Sequence, residues 1–143
     1  METRTGISNN TLGVIIGLVV SVWWIFMGLE SGFSFHASDP VSYWLTLGER
    51  RRTIMTIVAL MLIPVCALEK RPAFLAAIVL GAVTLILSSI HVLYMWIAAT
   101  SGFKAKLFGP IVWSILQIPI MVFGYRARRS LGKEALIEGS VWN

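Results

Sequence analysis

Charge is what this sequence has least of. Asp, Glu, Lys and Arg make up 13% of its 143 residues, and only seven are acidic. A soluble domain carries about 25% charged residues. Together with a hydrophobic content of 57%, that shortage excludes a water-soluble enzyme domain and a disordered tail. Cysteine is almost absent too. Cys66 stands alone, so no intrachain disulfide can form and a secreted disulfide scaffold is excluded. It lies in an apolar run, where cysteine acts as a small hydrophobe. The two histidines and one cysteine show no zinc-binding spacing. There is no phosphate-cradling glycine loop and no nucleophile, base and acid set.

What is present is long apolar runs. Residues 5–29, 53–68, 72–103 and 107–125 contain no charged side chain. A helix of about 20 apolar residues crosses a hydrocarbon core of about 30 Å. The mean hydropathy of +0.79 agrees. The expected fold is all-α: a polytopic membrane protein with four transmembrane helices in a bundle, at about 12–31, 53–68, 73–99 and 107–125. The first run lacks a small-x-small cleavage site and reads as a retained span. Between spans one and two, Ser38-Asp39-Pro40 starts a helix by N-cap and N1 preference. It predicts a short interfacial helix at about 39–48. Glu69-Lys70-Arg71 predicts a tight hairpin turn between spans two and three. A basic tail, 126–143, follows span four. No segment is long enough for a separate soluble domain.

Four spans place both termini on one side. Arg4, Lys70, Arg71, Arg126, Arg128, Arg129 and Lys133 share that side; Arg50, Arg51, Arg52, Lys104 and Lys106 lie opposite. The positive-inside rule favours cytoplasmic termini in a cell membrane. The net charge of +5 fits lipid headgroups, with Arg50, Arg51, Arg52, Arg126, Arg128 and Arg129 as the expected headgroup contacts, rather than nucleic acid.

Polar residues inside a membrane are functional candidates. His91 and Gln117 are the deepest. Counted from the Lys104–Lys106 turn, both lie about 16–20 Å in at 1.5 Å per residue, which places them at similar depth. They are the candidate ligand or proton-handling residues, with Glu30 at the end of span one as a third. His91 can equally lock the bundle by bonding Gln117, Ser88 or a carbonyl. His36 is too shallow to share a haem with His91, and Cys66 belongs to the other end. No metal or other cofactor is expected, and lipid is the expected bound molecule. Gly13, Gly17 and Ser21 on span one, and Ala73, Ala77 and Gly81 on span three, form small-residue stripes for helix packing. Bulkier residues fill the other half, which predicts a crevice opening toward the long loop.

The segment GVIIGLVVSVWWIFMGLESGF, a loop, and a hairpin turning at ALEKRPAF resemble the DoxX-type family of small four-helix membrane proteins over residues 13–94. The resemblance implies the four-helix fold and association with membrane oxidoreductases. Span two, TIMTIVALMLIPVCAL, carries neither the acidic residue nor the paired glycines common in that family, so no site residue is transferred. The function expected from these features is a non-catalytic accessory subunit of a larger membrane complex, of the respiratory or oxidase type, with other membrane subunits and lipids as partners. The alternative is a standalone protein that binds or moves a small hydrophobic molecule through a crevice near His91 and Gln117.

Overall fold

The computed structural model describes residues 6–27, 48–98 and 108–141. These form four helices: α1 (Asn9–Phe26), α2 (Gly48–Ala67), α3 (Arg71–Ala98) and α4 (Phe108–Val141). No strand occurs among the described residues. Three helices are long and apolar enough to cross a membrane, over Asn9–Phe26, Arg71–Leu93 and Phe108–Ile137. The fourth apolar stretch, Ile54–Ala67, is shorter. At 1.5 Å per residue it covers about 21 Å of a hydrocarbon core about 30 Å thick. Charges bound it on both sides, Glu49–Arg52 before and Glu69–Arg71 after. The expected interfacial helix at 39–48 and Glu30 lie outside the described residues, apart from Gly48, which opens α2.

Local chemistry explains the helix ends. Ser8 has extended backbone angles, and its hydroxyl accepts the Thr11 N–H at 3.2 Å, an N-cap that starts α1 three residues before the expected boundary. Met27 closes that helix, its N–H reaching the Trp23 carbonyl at 3.0 Å. The α2–α3 turn needs one residue in the left-handed region, and Glu69 takes it at φ 52°. The Glu69 N–H bonds the Cys66 carbonyl at 2.9 Å, satisfying one of the last carbonyls of α2.

The expected break after Tyr125 is absent. α4 continues as one helix through the basic residues to Val141. The reason is packing: Ile120, Gly124 and Ala127 are buried at helical spacing, and Leu131 packs against the same core. Its 34 residues span about 51 Å, well beyond one bilayer core.

The helices form a ring in which α1 packs on α2 and α4, and α3 packs on α4 and α2. The α3–α4 pair is the most extensive. The α2–α3 pair is the least, despite the short turn joining them. The interior is divided by height. Val14, Leu18, Ala59, Leu62, Cys66, Phe74, Ala77, Ile120 and Ala127 form an apolar core near the end where α1 begins. The other half of the bundle buries Ser21, Thr84, Ser88, His91, Ser114 and Gln117.

Candidate functional site

The buried polar layer is built by helical spacing on three elements. Thr84, Ser88 and His91 recur at four and three residues on α3, so they share one face. Ser114 and Gln117 recur at three on α4, and Ser21 faces them from α1. The Ser114 hydroxyl lies 2.7 Å from the Ser88 hydroxyl and 3.0 Å from the Pro110 carbonyl. Ser88 also reaches the Leu85 carbonyl at 3.2 Å. The Gln117 amide donates to the Ser21 hydroxyl at 3.3 Å and to the Trp113 carbonyl at 3.0 Å. Thr84 turns its hydroxyl to the Met55 sulfur on α2 at 3.6 Å. Every helix therefore sends a side chain into this layer, and these bonds between helices tie neighbours in the ring.

These contacts set the α3–α4 register. Ser88 faces Ser114 and Gly81 faces Met121, so two helical turns on one match two on the other. His91 and Gln117 lie three residues to opposite sides of the serine pair, about 9 Å apart along the helix axes. The expectation of similar depth is corrected. Counting from the connecting loop assumes level helix ends, whereas α3 runs past the level at which α4 begins. His91 is buried at 5% exposure and Gln117 at 3%.

The small-residue stripes do not meet each other. α4 lies between them. A Cβ added to Gly13 would fall 2.6 Å from the Phe123 ring, and one on Gly17 would fall 2.6 Å from Ile120 Cγ1. A Cβ on Gly81 would fall 2.9 Å from Met121 Cγ. Ser21 continues the first stripe as the acceptor for Gln117, and Ala73 and Ala77 are buried. Arg50, Arg51 and Arg52 fall in the first turns of α2. Arg126, Arg128 and Arg129 are exposed on α4.

A groove of about 420 Å³ opens between α3 and α4. Leu85, Ser89 and Trp96 line one wall, and Ile111, Ser114 and Ile118 the other. It lies in the half toward the α3–α4 loop, but neither His91 nor Gln117 lines it. The predicted crevice thus differs in its walls. The two deep polar residues face inward, while the groove faces outward.

Two ties were not visible in the sequence. Glu69 Oε1 accepts the Ser8 N–H at 2.8 Å and the Thr11 hydroxyl at 2.9 Å, which fastens the α2–α3 turn to the start of α1. Trp24 donates its indole N–H to the Gly109 carbonyl at 3.1 Å and fastens the other end of α1 to α4. Ser8 is legible as a helix-start residue, but nothing local announces a carboxylate 61 positions away. No group of three or more His, Cys, Asp or Glu occurs among the described residues in a metal-holding arrangement.

The layer can form neutral hydrogen bonds between helices, and one imidazole sits within it. Replacing Gln117 with Leu is expected to destabilise the bundle by about 1 kcal/mol, the size of interhelical hydrogen bonds in membranes. Ser21→Ala added to that variant should cost little more. Reversible denaturation of the four members of the cycle in detergent measures this, and full additivity would disprove the coupling.

No family model matches the chain, and no curated protein or solved structure is significantly similar to it.

Proposed function

We propose that the protein is a non-catalytic accessory subunit of a larger integral membrane complex, placed in the cell membrane with both chain ends cytoplasmic. The observation that carries this reading is how the polar groups are used. Gln117, Ser21, Ser88 and Ser114 bond helix to helix, and Glu69 bonds the α2–α3 turn to α1. Such bonds hold a bundle together. The outward groove between α3 and α4 supplies a channel into which a neighbouring transmembrane helix can set a ridge of side chains. Charge supports the orientation: Lys70, Arg71 and the α4 arginines lie at the end where α1 begins, and the positive-inside rule favours the cytoplasm for that end.

The test is native mass after mild detergent extraction, for the natural chain and for Ile115→Trp, which fills the groove. Co-migration of the natural chain with other subunits, lost in the variant while its own melting is unchanged, is the expected result. Migration of the natural chain alone would overturn the reading. A second reading rests on the groove volume. About 420 Å³ falls in the roughly 300–1,000 Å³ range of small-molecule pockets. Under it the groove holds a hydrophobic molecule, with the Ser89 hydroxyl as a polar handle. A small molecule that co-purifies with the natural chain and is absent from Ile115→Trp would favour it.

A further inference from the structure

We propose that Arg71 at the start of α3, with Arg128 and Arg129 on α4, forms a binding site for the headgroup of an anionic phospholipid that carries two phosphates. Gly132 leaves an open spot on the surface of α4 beside α3. The Arg71 guanidinium lies against it, with one terminal nitrogen 3.1 Å from where a Cβ would stand. The absent side chain lets a cation from α3 lie on the surface of α4. Arg128 and Arg129 lie four and three residues before Gly132, on the same face of that helix and one turn away. Three arginines from two helices thereby stand within about a helical turn of Gly132, and all three are exposed. Lys70, Arg126 and Lys133 flank them and are exposed as well.

Among the described residues this end carries more cations than acids: Lys70, Arg71, Arg126, Arg128, Arg129 and Lys133 against Glu69, Glu134 and Glu138. Glu69 faces the opposite task, since its carboxylate accepts from Ser8 and Thr11. Gathered cations repel one another, and a multivalent anion relieves the repulsion. The depth is that of a headgroup. From Pro72 onward α3 carries no Asp, Glu, Lys or Arg, and up to Tyr125 neither does α4. Arg128 and Arg129 lie roughly level with Phe74 and Ala73, a turn inside Arg71, so their stems can run along apolar surface while the guanidinium groups reach the phosphate layer. Arginine presents forked donors to phosphate oxygens, and basic clusters between transmembrane helices suit headgroups of high charge. This inference is independent of the subunit reading, because it concerns the opposite end of the bundle from the groove.

The full chain, purified in a neutral detergent, is reconstituted into phosphatidylcholine discs containing a minor fraction of diphosphatidylglycerol. A second set contains phosphatidylserine at matched total charge. Bound lipid is read by native mass spectrometry after release, and stability by thermal unfolding. Selective retention of diphosphatidylglycerol is expected, with weakening of about fivefold for each arginine changed to Gln, or roughly a hundredfold for all three. Arg71→Gln, Arg128→Gln and Arg129→Gln are combined for that purpose. Gly132→Leu keeps every charge but displaces the Arg71 guanidinium, and it should lower retention even if the triple variant does not fold. Equal retention of the two anionic lipids would overturn the proposal. So would full retention by Gly132→Leu, or an acidic protein subunit holding this patch in place of lipid.

Discussion

Replacing Gly13 and Gly17 together with Leu should separate α1 from α4 and unfold the bundle in detergent at temperatures where the natural chain is folded. At Gly13 a new Cβ would lie 2.6, 2.8 and 2.9 Å from three carbons of the Phe123 ring. At Gly17 it would lie 2.6 Å from Cγ1 of Ile120, a side chain with only 1% exposure and so nowhere to retreat. Overpacking of this kind costs about 1–3 kcal/mol at one site, and the rest of a Leu side chain adds to it. In lipid the loss has no hydrophobic compensation, because helices associate there through close packing and hydrogen bonds. The separation would also stretch the Gln117–Ser21 bond one turn further along. Gly81→Ala is the contrasting case. Its new Cβ meets Cγ of Met121, a flexible side chain that can swing aside, so a cost under about 1 kcal/mol is expected. Circular dichroism melting of the three proteins decides the matter. Equal melting of the Leu variant and the natural chain would remove the close approach of α1 and α4 as a source of stability.

Glu69→Ala is the second large effect, about 2–3 kcal/mol, and it combines two causes. The carboxylate accepts two bonds at the start of α1, and hydrogen bonds to a charged group contribute about 1.5–3 kcal/mol each before solvent exposure reduces them. A negative charge at a helix N-terminus adds about 0.3–1 kcal/mol. Alanine would also inherit the left-handed backbone at φ 52°, a strain of about 1 kcal/mol that glycine avoids. Glu69→Gly should therefore be less destabilising than Glu69→Ala by roughly that amount, although both lose the carboxylate. Hydrogen exchange of the first turn of α1 is the direct readout, because the tie holds that turn to the α2–α3 hairpin. If both variants protect those amides as well as the natural chain does, the carboxylate is not what anchors the helix.

How legible each feature was depended on whether its cause is local. The Ser8 cap, the charged turn at Glu69–Arg71 and the apolar runs are local patterns, and the helices follow them closely. The shorter Ile54–Ala67 stretch could also be read from the charges at its ends. α4 shows the limit. Arg126 marks the end of an apolar run, but the helix continues because Ala127 and Leu131 carry on a buried stripe that a charge count ignores. His91 and Gln117 were legible as buried polar residues, and both are buried. Their relative height was not, since it depends on how far α3 slides past α4.

The sequence by itself determined the class of the molecule: an all-helical chain of apolar segments punctuated by charged turns, with small residues at four-residue spacing on its first and third helices. Hydropathy and capping act within a few residues, so one dimension is enough to show them. Only the tertiary structure decided that both small-residue stripes receive α4, that Glu69 fastens α1, that Gln117 bonds Ser21, and that the groove opens outward. These depend on the rotation and sliding of whole helices. In an apolar solvent every face of such a helix is nearly equally welcome, so hydropathy cannot choose among them. Close fits such as Gly13 on Phe123, and bonds such as Ser114 to Ser88, make that choice.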